Sequence, residues 1–241
     1  TDDNIWFEVV KTVRHTNYFC FDLEPREWPI GEELTPGQDQ AWAMGFDGEV
    51  DYVSIGESFL NRQTNWTLSL WFKIADFRAA TLYSEGNPGA AFKLSLTTNG
   101  QCQVATWNKT LATQWTTATT TDAPLTSNHW HYVTLTYSGS GETDGTLRCY
   151  LDDYVWETNG VPRVNFDSNP FAVIGAVTAA PQPTNDFFYG KLDQLRIWNT
   201  ALSPDQVRLS PDATQPETAG SLVADYPFDE GQGGVAHNRA G

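Results

Sequence analysis

Cysteine, basic charge and long apolar runs are all scarce in this chain, and each scarcity removes a class of protein. The three cysteines, Cys20, Cys102 and Cys149, form no CxxC pair. An odd number cannot pair fully within one chain, which leaves neither a disulfide framework nor a cysteine zinc site. Cys149 falls on one face with Leu147 and Leu151, the setting of a buried, inert thiol. Lysine and arginine total 14 against 30 acidic residues, a formal charge of -16. That balance repels phosphate backbones and anionic membranes and argues against nucleic acid as a partner. It suits a solvated surface, calcium or a cationic partner. No apolar run approaches the roughly 18 residues of a membrane helix, so membrane insertion is not expected. Thr1-Asp2-Asp3-Asn4 lacks signal-peptide character, and a chain opening on Thr is expected to be a piece of something longer. Also missing are a Ser-His-Asp motif, a phosphate-cradling glycine loop and an HExxH pair.

What the chain does have is period-two alternation punctuated by turns. In Trp66–Ile74, Trp66, Leu68, Leu70, Phe72 and Ile74 point one way while Thr67, Ser69 and Lys73 point the other, the pattern of a half-buried strand. Phe92–Leu96 and Cys102–Thr106 flank Asn99-Gly100, whose residues accept the positive φ of a tight hairpin. Trp130–Tyr137 and Thr146–Leu151 read as two more strands. Asp152-Asp153 turns the chain into Tyr154–Glu157, and Leu192–Trp198 reads as the last core strand. Ser203-Pro204-Asp205-Gln206-Val207 has a serine cap and a first-turn proline, which predicts a short helix and the only one in the chain. Polar loops at 85–90, 117–128, 138–144 and 178–185 lie where a scaffold usually carries its ligand. Tyr18–Asp22 and Tyr226–Asp229 share an aromatic-x-Phe-Asp ending, a weak internal repeat.

Phe46-Asp47-Gly48 with Asp51-Tyr52-Val53, Trp66–Lys73, Trp130-His131-Tyr132-Val133, Tyr150-Leu151-Asp152 and Gly190–Asn199 occur in an order that resembles the laminin-G-like, or concanavalin A-like, jelly-roll domains. The similarity spans about residues 41–209. It implies an all-β fold: a two-sheet antiparallel jelly-roll β-sandwich with one short helix near its C-terminal end. Residues 1–40 then form an N-terminal, strand-rich extension, 41–209 the jelly-roll domain, and 210–241 a linker with a strand resembling the one that joins such domains in tandem. Asp153 stands where the family's turn has glycine. Pentraxins share the closing pattern at a distance, but Ala176–Pro181 has no carboxylate where they carry a double-calcium cluster.

The resemblance implies a noncatalytic recognition or adhesion module for a glycan or a protein surface. Such a module sits beside neighbouring domains of a larger extracellular or cell-surface protein. The alternative is a structural or protein-interaction module with no small ligand, and a glycoside hydrolase or lyase comes behind both. Trp107, Trp115 and Trp156 lie near loops or outer strand faces, where an indole can stack on a pyranose ring or simply pack. Asp193 alternates with Leu195 and Ile197, which directs its carboxylate toward the core. A structural calcium ion shared with Asp47 would satisfy it, as would backbone N–H groups or an arginine. His129 and His131, two apart on a strand, share a face and could only begin a zinc site. Glu49 and Asp51 offer the alternate acidic positions a retaining glycosidase uses, without a third acid in the pattern.

Overall fold

Alternating apolar residues become strands wherever a second sheet is available to cover them. The structure, a computed structural model, describes residues 22–25, 42–86, 90–118, 125–167, 171–177, 185–209, 221–230 and 234–240. In chain order the strands are β1 (Asp22–Pro25), β2 (Trp42–Asp47), β3 (Val53–Ile55), β4 (Asn65–Ile74), β5 (Ala80–Glu85), β6 (Phe92–Leu96), β7 (Cys102–Asn108), β8 (Thr113–Ala118), β9 (Trp130–Ser138), β10 (Gly145–Leu151), β11 (Tyr154–Val161), β12 (Ala172–Ile174), β13 (Tyr189–Trp198) and β14 (Leu222–Tyr226). One helix, α1 (Pro204–Leu209), occurs among the described residues.

The strands form two antiparallel sheets. An eight-stranded sheet runs β1-β2-β13-β4-β9-β10-β11, with β14 also on β13, and a six-stranded sheet runs β3-β12-β5-β6-β7-β8. Trp66 sits at the centre between them, stacked on Tyr137 at 5.5 Å and meeting Phe92 edge-on at 5.4 Å. Leu68, Leu70, Phe72, Val133, Leu135, Leu147 and Cys149 line the same interior from the larger sheet. Burial pushes the Cys149 thiol up to about 12, as an inert core cysteine requires.

The hairpin at Asn99-Gly100 forms as its sequence predicts, with Gly100 at φ +70° and the Thr97 hydroxyl accepting the N–H groups of Asn99 and Gln101. Strand β5 gave no alternation to read because all six of its residues are buried. The helix carries a reciprocal cap: Ser203 Oγ accepts the Gln206 N–H, and Gln206 Oε1 accepts the Ser203 N–H. Its apolar side, with Leu202 and Val207, packs on Trp198.

Strand β13 organises both ends of the domain. Its first half, Tyr189–Leu192, pairs with β2, and its second half, Leu195–Trp198, pairs with β14 along the same edge. Tyr226 and Phe228 are buried in the core, so the C-terminal strand completes this sandwich. At the N-terminal side, Asp22–Pro25 pairs with Trp42–Gly45 as β1. Of the internal repeat, Tyr18–Phe21 and with them Cys20 lie outside the described residues. Gly190 is required where β13 meets β4, because a Cβ there would stand 2.0 Å from the Lys73 carbonyl oxygen.

Two expectations change here. The pairing of β13 with β4 shifts register between Asp193 and Arg196, and Gln194 takes φ +48°. This β-bulge inserts one residue and reverses the alternation. Asp193, buried as its sequence position implied, therefore lies opposite Trp71 on the outer face of the sheet while Leu195 and Ile197 point into the core. Glu49 and Asp51 belong to the turn after β2 rather than to a strand. Asp47 Oδ1 accepts the N–H groups of Glu49, Val50 and Asp51 at 2.8–3.2 Å, and Asp51 Oδ2 accepts the Asp47 N–H. These carboxylates build an Asx turn.

Candidate functional site: a cleft on the outer face of the larger sheet

The face of the eight-stranded sheet that points away from the core carries a row of aromatics. Tyr132 lies opposite Trp71 across β9 and β4, and Tyr150 opposite Val155 across β10 and β11. Trp71 and Tyr132 are in ring contact at 4.8 Å, tilted by 47°, and with Trp130 and Ala43 they form a separate apolar cluster on this face. The helix α1 stands beside them and walls the far side. The result is a cleft of about 840 Å³. Trp71, Trp130 and Tyr132 form its floor, Tyr150 and Val155 one wall, and Val207 and Arg208 the other. The Trp130 indole N–H, buried in this floor, has no acceptor among the described residues.

The polar rim comes from the start of β9 and the β10–β11 turn. Asp152 takes φ +49° there, as the Asp-Asp dipeptide predicts. Its Oδ1 accepts the Tyr132 N–H at 2.8 Å, and its Oδ2 stands 2.7 Å from His131 Nδ1. His131 Nε2 lies 3.1 Å from the Thr126 nitrogen, 3.0 Å from the Thr126 oxygen and 3.4 Å from Thr126 Oγ1. Burial alone would lower the His131 pKa, but the Asp152 carboxylate and the Thr126 carbonyl outweigh it and raise the pKa above the ordinary 6.5. His129 precedes β9, is exposed and faces the Ser127 carbonyl, so the two histidines share the cleft but not a strand face.

This arrangement suits recognition. Tyr150, the half-buried wall, can offer a ring face to the C–H face of a sugar above floor rings that are only 5–8% exposed, and the Asp152 and Asp153 oxygens retain lone pairs for hydroxyl donors. Thr126, His131 and Asp152 follow the order of a nucleophile, base and orienting acid. The imidazole, however, is closer to the Thr126 backbone than to its hydroxyl, so the geometry holds the rim instead of activating an oxygen.

The residues singled out from sequence fall elsewhere. Trp107 alternates with buried Thr106 and Asn108 on β7 of the smaller sheet and packs against the core. Trp156 lies on β11 opposite Cys149 and also packs on the core. Trp115, on β8, pairs through its backbone with Thr106 of β7, and its side chain lies outside the described residues. Asp47 and Asp193 are not brought together. Asp47 pairs with Tyr189, four residues from Asp193 along β13, a separation of about 13 Å at the usual strand rise. One ion cannot bridge them. Among the described residues no three His, Cys, Asp or Glu side chains gather in a group fit for a metal. The cleft aromatics had a legible signal: Trp71, Tyr132 and Tyr150 alternate along their strands with residues that face the core.

A second surface lies at a loop end of the sandwich. Val50, Phe77 and Tyr189 are 41%, 43% and 39% exposed. The Arg78 guanidinium sits 4.7 Å over the Tyr189 ring and forks onto Asp76 with two 2.7 Å bonds. Gly48, at φ +74°, leaves the room that Arg78 and the Tyr189 Cβ occupy.

Residues 47–208 match the family model described as the concanavalin A-like lectin/glucanases superfamily. This chain belongs to that superfamily. No curated protein matches its sequence. Among solved structures it is similar to a heptameric SAP-like pentraxin from Limulus polyphemus, at 16% identity over 68% of this chain and 78% of that one, with a TM-score of 0.52. It is also similar to domains LG4-5 of the mouse laminin α1 chain, at 14% identity over 68% of this chain and 45% of that one, TM-score 0.52. Domain 4 of AbnA, an extracellular arabinanase from Geobacillus stearothermophilus, solved in complex with arabinotriose, matches at 17% identity over 80% and 88% of the two chains, TM-score 0.52. At these identities the likeness is one of fold. Pentraxin and laminin domains are the relatives that the sequence motifs implied.

Proposed function

We propose that this chain is a noncatalytic recognition module that binds a glycan in the cleft on the outer face of its larger sheet, as one part of a larger extracellular or cell-surface protein. The observation that carries the reading is the cleft itself: aromatic residues Trp71, Trp130, Tyr132 and Tyr150 beside Arg208 and beneath a rim of Asp152 and Asp153. Apolar ring faces with a few directional polar groups are what a saccharide needs for stacking and for orientation. The arabinotriose held by the AbnA domain agrees with a saccharide as the ligand class for this fold.

The reading is tested with cellohexaose, xylohexaose, laminarihexaose and arabinohexaose, followed through tryptophan fluorescence and calorimetry. At least one should bind and perturb the emission of Trp71 and Trp130. Tyr150→Ala, which trims a half-buried wall, should weaken that binding about tenfold, the loss of one ring contact of roughly 1.4 kcal/mol. Failure of all four sugars to bind, or full affinity in the Tyr150 variant, would overturn it.

A second reading, a protein-interaction module, draws on the loop-end surface of Val50, Phe77 and Tyr189. Capture of neighbouring domains that Phe77→Ser and Tyr189→Ser abolish, with the cleft variants inert, would favour it.

A further inference from the structure

His131 holds two backbone groups of opposite polarity at one ring nitrogen. Nδ1 is committed to Asp152 Oδ2 at 2.7 Å and donates to it in both the neutral and the protonated ring. Nε2 faces the Thr126 N–H at 3.1 Å and the Thr126 carbonyl at 3.0 Å. A neutral ring can only accept from the N–H, whereas an imidazolium can only donate to the carbonyl.

The ring itself has little freedom to adjust. Phe72 of β4 packs on it with centroids 5.5 Å apart, and the Asp152 carboxylate that orients it is tied to the Tyr132 N–H. The loop can adjust, because its fixed points are Leu125, which is buried in the core, and Asn128, whose N–H bonds the Ile74 carbonyl at 2.7 Å. Thr126 and Ser127 lie between them, and Thr126 lines the cleft.

We infer that His131 is a positioning residue of the cleft whose protonation exchanges the backbone partner of Thr126, releasing the Thr126 N–H at the rim for a ligand hydroxyl. Asp152 from the β10–β11 turn faces the ring directly and apolar Phe72 of β4 packs on it, while Asp153, His129, Tyr150 and Arg208 line the same cleft. Asp152 is the one in contact, and together with the Thr126 carbonyl it favours the imidazolium strongly enough to overcome burial. The exchange therefore falls above the ordinary imidazole value of 6.5.

The ligand half of this inference rests on the glycan reading, while the latch half does not. Amide and imidazole NMR of the unliganded chain from pH 5 to 9 tests the latch directly. The His131 ring should titrate with a midpoint above 6.5, the Thr126 amide resonance should move with the same midpoint, and its protection relative to the base-catalysed intrinsic exchange rate should rise on the alkaline side, where the ring accepts its hydrogen. His131→Gln should abolish the Thr126 titration and His129→Gln should leave it in place. A Thr126 amide that ignores the His131 midpoint overturns the latch, and this readout needs no variant to fold. The same four hexasaccharides at pH 5.5 and 8.5 test the ligand half. Affinity should be about fivefold tighter at the lower pH, one hydrogen bond's worth, and pH-independent in His131→Gln. A moving Thr126 amide with no sugar bound sinks the glycan reading and leaves the latch. Bound sugar with a static amide does the reverse.

Discussion

Glu85 and His131 are both buried side chains whose proton affinity is raised, and they reach that state by opposite routes. Glu85, at the end of β5, is wholly enclosed. Its Oε1 accepts the Phe59 N–H at 2.8 Å and the Tyr83 hydroxyl at 2.5 Å, and both oxygens share the Leu60 N–H. Burial outweighs all of these donors and pushes its pKa up to about 7. For His131 burial works the other way and the Asp152 carboxylate wins. The partners show what each group is for. Those of Glu85 belong to β5 itself and to the connection between β3 and β4, which it staples to the smaller sheet; those of His131 belong to the rim of the cleft. A buried charge can thus anchor a fold or tune a site, and its partners decide which.

The largest expected effect is on the anchor. Glu85→Ala leaves the Phe59 and Leu60 N–H groups and the Tyr83 hydroxyl without their acceptor, and should cost about 4 kcal/mol at pH 5 in urea unfolding. The loss should shrink toward pH 8. The reason is the wild-type chain's own pH dependence: a carboxyl whose folded pKa is raised from 4.5 to about 7 contributes fully below 4.5 and loses that contribution as pH rises through 7. Between those values the wild-type chain should lose about 3 kcal/mol, a slope absent from Glu85→Gln. A flat stability profile across this window would mean that Glu85 keeps an ordinary pKa. His131, also raised, contributes below 6.5 and loses it as pH rises through its folded pKa. His131→Gln should therefore cost more stability at pH 5 than at pH 9. Equal losses at both pH values would show that its ion pair with Asp152 carries no stability and erase the contrast with Glu85.

Much of the sandwich was legible from residues alone. Strands β4, β6, β7, β9, β10 and β13, the Asn99-Gly100 hairpin and the capped helix all announce themselves through alternation or turn chemistry. Strand β5 did not, since burial of both faces erases the period. The bulge at Gln194 was equally silent: one inserted residue turned Asp193 from the core to the outer face. The site was harder still. Nothing in β4 or β9 taken singly marks Trp71 or Trp130 as part of a site, because each strand shows an aromatic but not its neighbours. Their convergence with Tyr132 and Tyr150 depends on the pairing of β4, β9 and β10. Conversely, Trp107 and Trp156, chosen for their nearness to loops, pack against the core.

The amino-acid order by itself determined the all-β architecture, the superfamily motifs from Phe46 to Trp198, the Asp152 turn and the acidic surface. These depend on local spacing and on the conformations that Asn, Gly, Asp and Ser permit. Only the tertiary structure decided that His131 meets Asp152 and Thr126, that Glu85 reaches the Phe59 and Leu60 amides, and that outward aromatics from three strands share one cleft with α1. Those juxtapositions join residues distant in the chain, and the register of the sheet, with its bulge, sets which of them meet.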